Sequence, residues 1–310
     1  MLRTFIFLTL PNKEQIYYEE VIYMFAEEWP LLLFTLLTQF GVGAYIFFVI
    51  VRAFNQKLGN NLGINVTKRG LFFVGPVIAL ALVFSLFHLG DPFGAYRSLF
   101  NLESSWLSRE IVFTAAFFAL WVVSFYSDLK GKWNQMVGWV TSVVGLGAIF
   151  CMASIYASSI KPAWTDVNTY LAFYGTTILF GAVASMIFIL ASKEEKTEAL
   201  TSVIKGIGLV GLGAMIVQLI YLPIYVSGLT GSGQAGLESA SLITGTYAFS
   251  TVIRWALSFI GLGAIGFVFY RNRQQKSQMT FYMAALTLVL VGEFLGRYIF
   301  YATGVSIIVG

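Results

Sequence analysis

Charge is what this chain has least of. Asp, Glu, Lys and Arg make up 11% of its 310 residues, where a soluble domain carries roughly 25%. Hydrophobic residues make up 58%, and the mean hydropathy is +0.79. Such a chain cannot cover a water-facing surface of its size, so it reads as an integral membrane protein with its charges gathered into loops. Cysteine and histidine are scarcer still. The single cysteine, Cys151, allows no intramolecular disulfide and cannot supply an iron–sulfur cluster, which takes about four thiolates. The single histidine, His88, excludes a haem held by two histidines of this chain. If electrons pass through this protein, it does not store them on a metal centre of its own. The formal net charge of +4 is too small to point to nucleic acid. Residues 1–28 do not read as a signal peptide: the apolar run Phe5–Leu10 is short, Pro11 interrupts it, and no small-residue cleavage site follows.

What the chain has is apolar length. Eight runs, at about 30–51, 70–89, 109–127, 136–159, 169–191, 203–227, 246–270 and 280–303, each approach the roughly 20 residues that cross a bilayer as a helix. Trp29, Trp106, Trp133 and Trp164 fall at or near the ends of runs, where interfacial anchors belong. Pro30 is expected in the first turn of the first helix, where its missing N–H does no harm. The loops after runs one, three, five and seven hold Arg52, Lys57, Lys68, Arg69, Lys130, Lys132, Lys193, Lys196, Lys205, Arg271, Arg273 and Lys276, which is twelve of 19 basic residues. Basic loops face the cytoplasm. The expectation is therefore an all-α, polytopic integral membrane protein with eight transmembrane helices and both termini outside. Residues 1–28 form an extramembrane N-terminal arm, interfacial or partner-docking, and 29–310 form the membrane domain.

Two glycine strings, Gly206-Ile-Gly208-Leu-Val-Gly211 and Gly261-Leu-Gly263-Ala-Ile-Gly266, mimic a dinucleotide fingerprint. Neither follows a strand in a βαβ unit, so close helix approach is the better reading and no nucleotide is implied. Cys151, amid Phe150, Met152 and Ala153, reads as a buried, inert thiol, and the Lys-Glu-Glu-Lys run at 193–196 as a solvated loop.

Polar residues inside spans are costly, and they tend to line a cavity or meet a partner. Gln39, Gln218, Arg254, Glu293 and Arg297 are the clearest. Glu293 and Arg297 are four residues apart on one helix face, a spacing that allows them to pair. With His88, Arg97, Arg109 and Glu110 they map to the outer side, while the inner half of the spans has almost no comparable residues. This asymmetry points to one polar pocket opening outward. His88 and Glu110 face each other across one loop at the edge of hydrocarbon, where an imidazole and a carboxylate can take protons from a reduced lipid-soluble carrier. Structural glue of ion pairs, an ion or proton transporter, and a passive membrane tether for a redox partner remain the competing readings.

Four stretches then resemble a known family. Glu28-Trp29-Pro30-Leu31, His88-Leu89-Gly90-Asp91-Pro92, Leu107-Ser108-Arg109-Glu110-Ile111 and the segment from Gly292-Glu293-Phe294 through Gly296-Arg297 to Tyr301 resemble the membrane-anchor subunit of DMSO reductase, the DmsC family. The family often has a basic residue where Gly94 stands and an asparagine where Arg97 stands. The resemblance implies a multi-pass subunit in the cytoplasmic membrane of a prokaryote, carrying no haem. It implies that the subunit oxidises menaquinol and passes electrons to a ferredoxin-like iron–sulfur subunit and on to a molybdopterin catalytic subunit. It also implies His88 and Glu110 as catalytic residues; Arg97, Arg109, Gln39, Gln218, Arg254, Glu293 and Arg297 are candidate quinol-pocket residues by their polarity and placement in and near the spans.

Overall fold

The computed structural model describes the backbone of residues 13–88, 100–271 and 279–307, and the side chains of 29–87, 100–270 and 279–307. Helices α1 (Lys13–Ala53), α3 (Leu62–His88), α4 (Trp106–Leu129) and α5 (Gln135–Ala157) make up the first half, with a single turn, α2 (Asn55–Leu58), between α1 and α3. After the short α6 (Pro162–Thr165), the second half follows as α7 (Val167–Leu190), α8 (Glu198–Thr230), α10 (Ala248–Arg271) and α11 (Met279–Ala302). Helix α9 (Gly233–Ser241) runs into a π-helical turn, Leu242–Thr246, that links α8 to α10. Among the described residues there is no strand.

Among the described residues eight helices are long and apolar enough to cross a membrane, and each expected run falls on one of them. One difference is at α3, which starts at Leu62 rather than at 70. Asn65, Lys68 and Arg69 break the apolar run there, but they lie on the exposed side and leave the helix intact. Helix α1 also begins earlier than expected. It is continuous from Lys13, so Pro30 lies inside it rather than in its first turn.

The boundaries follow from local chemistry. Ser105, Asn134, Asp166 and Thr197 each accept a backbone N–H at the start of α4, α5, α7 and α8, satisfying donors that a helix start leaves open. The chain reverses between α2 and α3 through Gly59, Asn60 and Asn61, with φ of 72°, 48° and 54°, a conformation that glycine and asparagine tolerate best.

Helices α1 and α7 form the centre. They run side by side because Gly43 and Gly181 let their backbones touch: a Cβ on Gly43 would collide with the Thr177 carbonyl, and one on Gly181 with the Gly43 carbonyl. The other six spans pack around this pair, and their outward faces carry exposed Phe72, Phe73, Val143, Leu209, Ile220 and Val252, as a lipid-facing surface requires. In the glycine strings, Gly211 packs on Ala182 of α7 and Gly261 on Ala285 and Val289 of α11, while Gly206, Gly263 and Gly266 face open space. Close approach thus explains one glycine of each string firmly. Cys151 is buried, as expected.

The 193–196 loop is less solvated than expected. The Lys196 ammonium folds back to donate to the Ser192 carbonyl and hydroxyl and to the Glu194 carbonyl. Burial lowers its pKa from the ordinary lysine value, and the Glu194 charge opposes that shift.

Eight alternating spans bring Trp29 and Ala302 to one end of the bundle, with His88 and Trp106. Ala53, Leu62 and Leu129 lie at the other. The polar side chains buried near the first end compose the candidate site.

Candidate functional site

Five spans contribute to one buried network near the Trp29 end. From α1, Gln39 is fully buried and donates to the Phe173 carbonyl of α7 at 3.1 Å. Its side-chain oxygen accepts from Arg297 Nη2 of α11 at 2.9 Å. One helical turn before Arg297, Glu293 accepts from Thr176 of α7 at 2.6 Å and from Ser258 of α10 at 3.0 Å. Arg254 of α10 completes the carboxylate's shell at 3.4 Å and also donates to Gln218 of α8 at 3.3 Å.

Glycines make room for these groups. A Cβ on Gly175 would collide with the Gln218 amide, and one on Gly296 with the Arg254 guanidinium, while one on Gly292 would lie 2.5 Å from the Ser258 hydroxyl. The stretch Gly292-Glu293 through Gly296-Arg297 therefore has a physical reason. Two glycines one turn apart admit Ser258 and Arg254 of α10, both of which meet Glu293.

The Glu293–Arg297 pair that their spacing allows does not form. Glu293 is paired with Arg254 on the neighbouring helix, and Arg297 instead lays its guanidinium 3.7 Å above the Phe173 ring. A side chain pointing across to another helix wins here because the interhelical partners satisfy more of the carboxylate's lone pairs than one neighbour on the same helix would.

Beside this network lies an open cavity between α7, α8, α10 and α11. Gln218, Thr251, Arg254, Trp255, Arg297 and Phe300 are among its lining residues. Arg297 Nε and Nη1, Arg254 Nε, Trp255 Nε1 and the Thr251 hydroxyl are buried and have no hydrogen-bond partner among the described residues. Leaving such a group unsatisfied costs roughly 1–3 kcal/mol, and buried polar groups are rarely left so. All five belong to residues that line the cavity.

Glu110 stands apart from this network. It is 2% exposed on α4, and no described residue donates a hydrogen bond to it. Tyr156 of α5 lies within electrostatic range of both Glu110 and Arg297, and its hydroxyl meets that of Tyr301 at 2.7 Å. Around Tyr156 the rings of Trp164, Phe173 and Phe300 pack at 5.2, 5.5 and 5.4 Å. Phe300 of this aromatic layer also lines the cavity. Arg109 joins neither group. It donates to the carbonyls of Leu102 and Glu103 and stacks 4.2 Å over Trp106, bracing the loop before α4. The side chain of His88 and all of Arg97 lie outside the described residues.

The other end of the bundle is less bare than expected. Arg52, counted with the loops, is 3% exposed and pairs with Asp128, itself 5% exposed. Arg52 also donates to Thr67 at 2.8 Å and lies 4.3 Å over the Trp133 ring. Toward the middle, Tyr45 donates to Ser124 at 2.8 Å, and Ser124 meets Thr141 at 3.4 Å. Above these lies an apolar layer of Val42 and Phe117, both 0% exposed, closed on Gly145, where a Cβ would lie 2.9 Å from each. Among the described residues no hydrogen bond joins the two polar regions.

Sequence reasoning missed Thr176, Ser258, Tyr156, Tyr301 and the Arg52–Asp128 pair. Hydroxyls within apolar runs give little signal, because Ser and Thr satisfy themselves on their own helix's carbonyls. Asp128 and Arg52 fell at the ends of runs, where charges are ordinary. Among the described residues no group of three or more His, Cys, Asp and Glu is placed to hold a metal ion.

Comparisons with known proteins agree over nearly the whole sequence. The family model described as DMSO reductase anchor subunit (DmsC) matches residues 24–303. The anaerobic dimethyl sulfoxide reductase chain YnfH of Escherichia coli (strain K12) is 31% identical over 285 residues, covering 90% of this protein and 96% of the relative. The C subunit of the anaerobic dimethyl sulfoxide reductase of Haemophilus influenzae is 25% identical over 278 residues, covering 88% and 94%. The C subunit of the E. coli enzyme is 24% identical over 294 residues, covering 90% and 96%.

Proposed function

The chain belongs to the DMSO reductase anchor subunit (DmsC) family, and from that premise we propose that it oxidises menaquinol and passes the electrons to an iron–sulfur subunit. The observation that carries the reading is Glu110, a carboxyl 2% exposed near the start of α4 with no donor among the described residues. A buried carboxylate without a partner is costly. A carboxyl that meets a ligand's hydroxyl and takes its proton has a reason to be there.

In the reaction both O–H bonds of the quinol break, releasing two protons and two electrons, and the ring becomes a quinone. His88, which ends α3 at the same mouth as α4 begins, is the primary proton acceptor. Glu110 accepts the second proton or orients the imidazole. The electrons leave to a ferredoxin-like iron–sulfur subunit docked at this end and then reach a molybdopterin catalytic subunit. The lysine and arginine distribution supports this end as the outer face of the cytoplasmic membrane. Residues 1–28 serve as a docking arm for the iron–sulfur subunit; a complex left intact by deletion of residues 2–15 would count against that role.

The test is binding of a fluorescent quinol analogue to membranes containing the wild type, His88→Ala or Glu110→Gln. Saturable binding lost in either variant supports the assignment. Binding unaffected by both moves the site away from this mouth, and no binding to correctly inserted wild type removes the quinol reading.

A further inference from the structure

Two tyrosines of the spans, Tyr225 and Tyr174, donate to the carbonyls of Ala163 and Leu146 at 2.9 and 3.1 Å. A carbonyl only accepts, so those hydroxyls are fixed as donors. Tyr156 and Tyr301 are arranged differently. They are 6% and 5% exposed and meet hydroxyl to hydroxyl at 2.7 Å, where either can be the donor. A hydroxyl gives one proton and accepts another, so this pair can reverse its direction. It also joins α5 to α11, across 145 positions of sequence.

Glu110 lies on one side of the pair. Trp106, Glu110 and Phe113 share one face of α4, and that face meets α5: Trp106 packs on the Phe150 ring at 5.7 Å and Phe113 lies against Gly147. Tyr156, farther along α5, is within electrostatic range of Glu110. Arg297 lies on the other side, one turn before Tyr301 on α11 and within electrostatic range of both tyrosines. With Phe300 and Thr303 it lines the open cavity. The rings of Trp164 and Phe300 pack on both tyrosines.

A buried carboxyl that takes a proton from quinol must lose it again before the next turnover. Resting on the quinol reading above, we propose that the Tyr156–Tyr301 hydroxyl pair is the relay that carries this proton from Glu110 to the open cavity beside Arg297. The proton reaches Tyr156 across one water, within the reach of acid–base transfer. Each hydroxyl then accepts one proton and passes on its own, and water in the cavity takes the last. One O–H bond is lost at the carboxyl and one is gained on that water, and no electron moves. The Arg297 charge opposes an extra proton resting on the pair, so the pair transmits the proton and does not store it. Tyr301 sits in the last turn of α11, so release falls at the same end of the bundle as Glu110.

The experiment is steady-state menaquinol oxidation, per assembled complex, in H2O and D2O. Tyr156→Phe, Tyr301→Phe, their double variant and Glu110→Gln are compared with the wild type. Each Phe keeps a ring in the aromatic layer and removes only the hydroxyl. Each single variant is expected to lower kcat by about a hundredfold, the lower end of what a positioned proton-transfer group contributes. KM for menaquinol should hold, and the solvent isotope effect should rise. A relay cut at one link is already cut, so the double variant should be no slower than either single. Losses that multiply in the double variant make the hydroxyls independent packing groups and overturn the relay. A change in KM alone assigns the pair to binding and overturns it too. Wild-type kcat in either single variant, with Glu110→Gln inactive, overturns the relay and leaves the quinol reading standing. Wild-type kcat in Glu110→Gln removes the relay and the Glu110 assignment together.

Discussion

The Arg297 guanidinium donates to the Gln39 side-chain oxygen at 2.9 Å, tying the last span to the first across 258 positions of sequence. Gln39 is itself anchored by its amide to the Phe173 carbonyl, and Phe173 is the ring on which the guanidinium lies. One glutamine thus decides how Arg297 is turned, and leaves Nε and Nη1 without a partner among the described residues.

Replacing Gln39 with methionine, of similar volume, removes both hydrogen bonds and leaves Arg297 with no acceptor. The expected loss is about 1–2 kcal/mol, since hydrogen bonds between membrane helices are worth less than the charge alone suggests. It is read as a lower unfolding midpoint of the detergent-solubilised protein. An unchanged midpoint would mean that the Phe173 stack alone holds the arginine.

At the other end, Asp128→Ala leaves the Arg52 charge buried without its carboxylate and is expected to cost about 3–5 kcal/mol. The double variant Arg52→Met with Asp128→Leu is expected to regain most of that loss, because a buried ion pair is worth little more than well-packed apolar groups. Thermal unfolding of the three proteins in one detergent decides it. A double variant as unstable as the single would show that the Thr67 and Trp133 contacts of Arg52 matter more than the pair.

The fold was legible because spans in lipid announce themselves: each backbone must satisfy itself, so length and hydropathy set the helices. Their ends were less so, as Leu62 shows, since exposed polar residues interrupt an apolar run without ending a helix. Within the site, the charged and amide residues in spans stood out, and Gln39, Gln218, Arg254, Glu293 and Arg297 do come together. Their partners did not follow from spacing. Glu293 and Arg297 share a helix face, yet each turns to another helix, because pairing depends on which neighbours the glycines at 175, 292 and 296 admit. The aromatic layer around Tyr156 was invisible, since rings inside apolar runs carry no positional signal of their own.

Gly43→Ala is expected to destabilise the protein by about 1–3 kcal/mol, since the added methyl meets backbone rather than a movable side chain. Gly213→Ala in α8 is the control. Its Cβ would enter open space, and alanine favours a helix by up to about 1 kcal/mol, so its midpoint should stay level or rise. Equal loss in both would remove the close α1–α7 contact as the cause.

Turnover is expected to be electroneutral. In the proposed reaction protons are released and electrons leave at the same end, and buried Val42 and Phe117 lie between the spans toward the Arg52 region. A voltage-sensitive dye in sealed proteoliposomes carrying the assembled complex should report no potential during menaquinol oxidation. A robust potential would contradict the shared side of proton and electron release.

The most direct test is the rate of menaquinol oxidation by the assembled complex carrying Glu110→Gln, set against its rate with an artificial donor that feeds the catalytic subunit directly. The account predicts that quinol oxidation falls by about a hundredfold or more, within the 10²–10⁴ that a positioned acid–base group contributes, while the artificial-donor rate holds. Quinol oxidation at the wild-type rate in an assembled Glu110→Gln complex would contradict the assignment of this buried carboxyl to the chemistry.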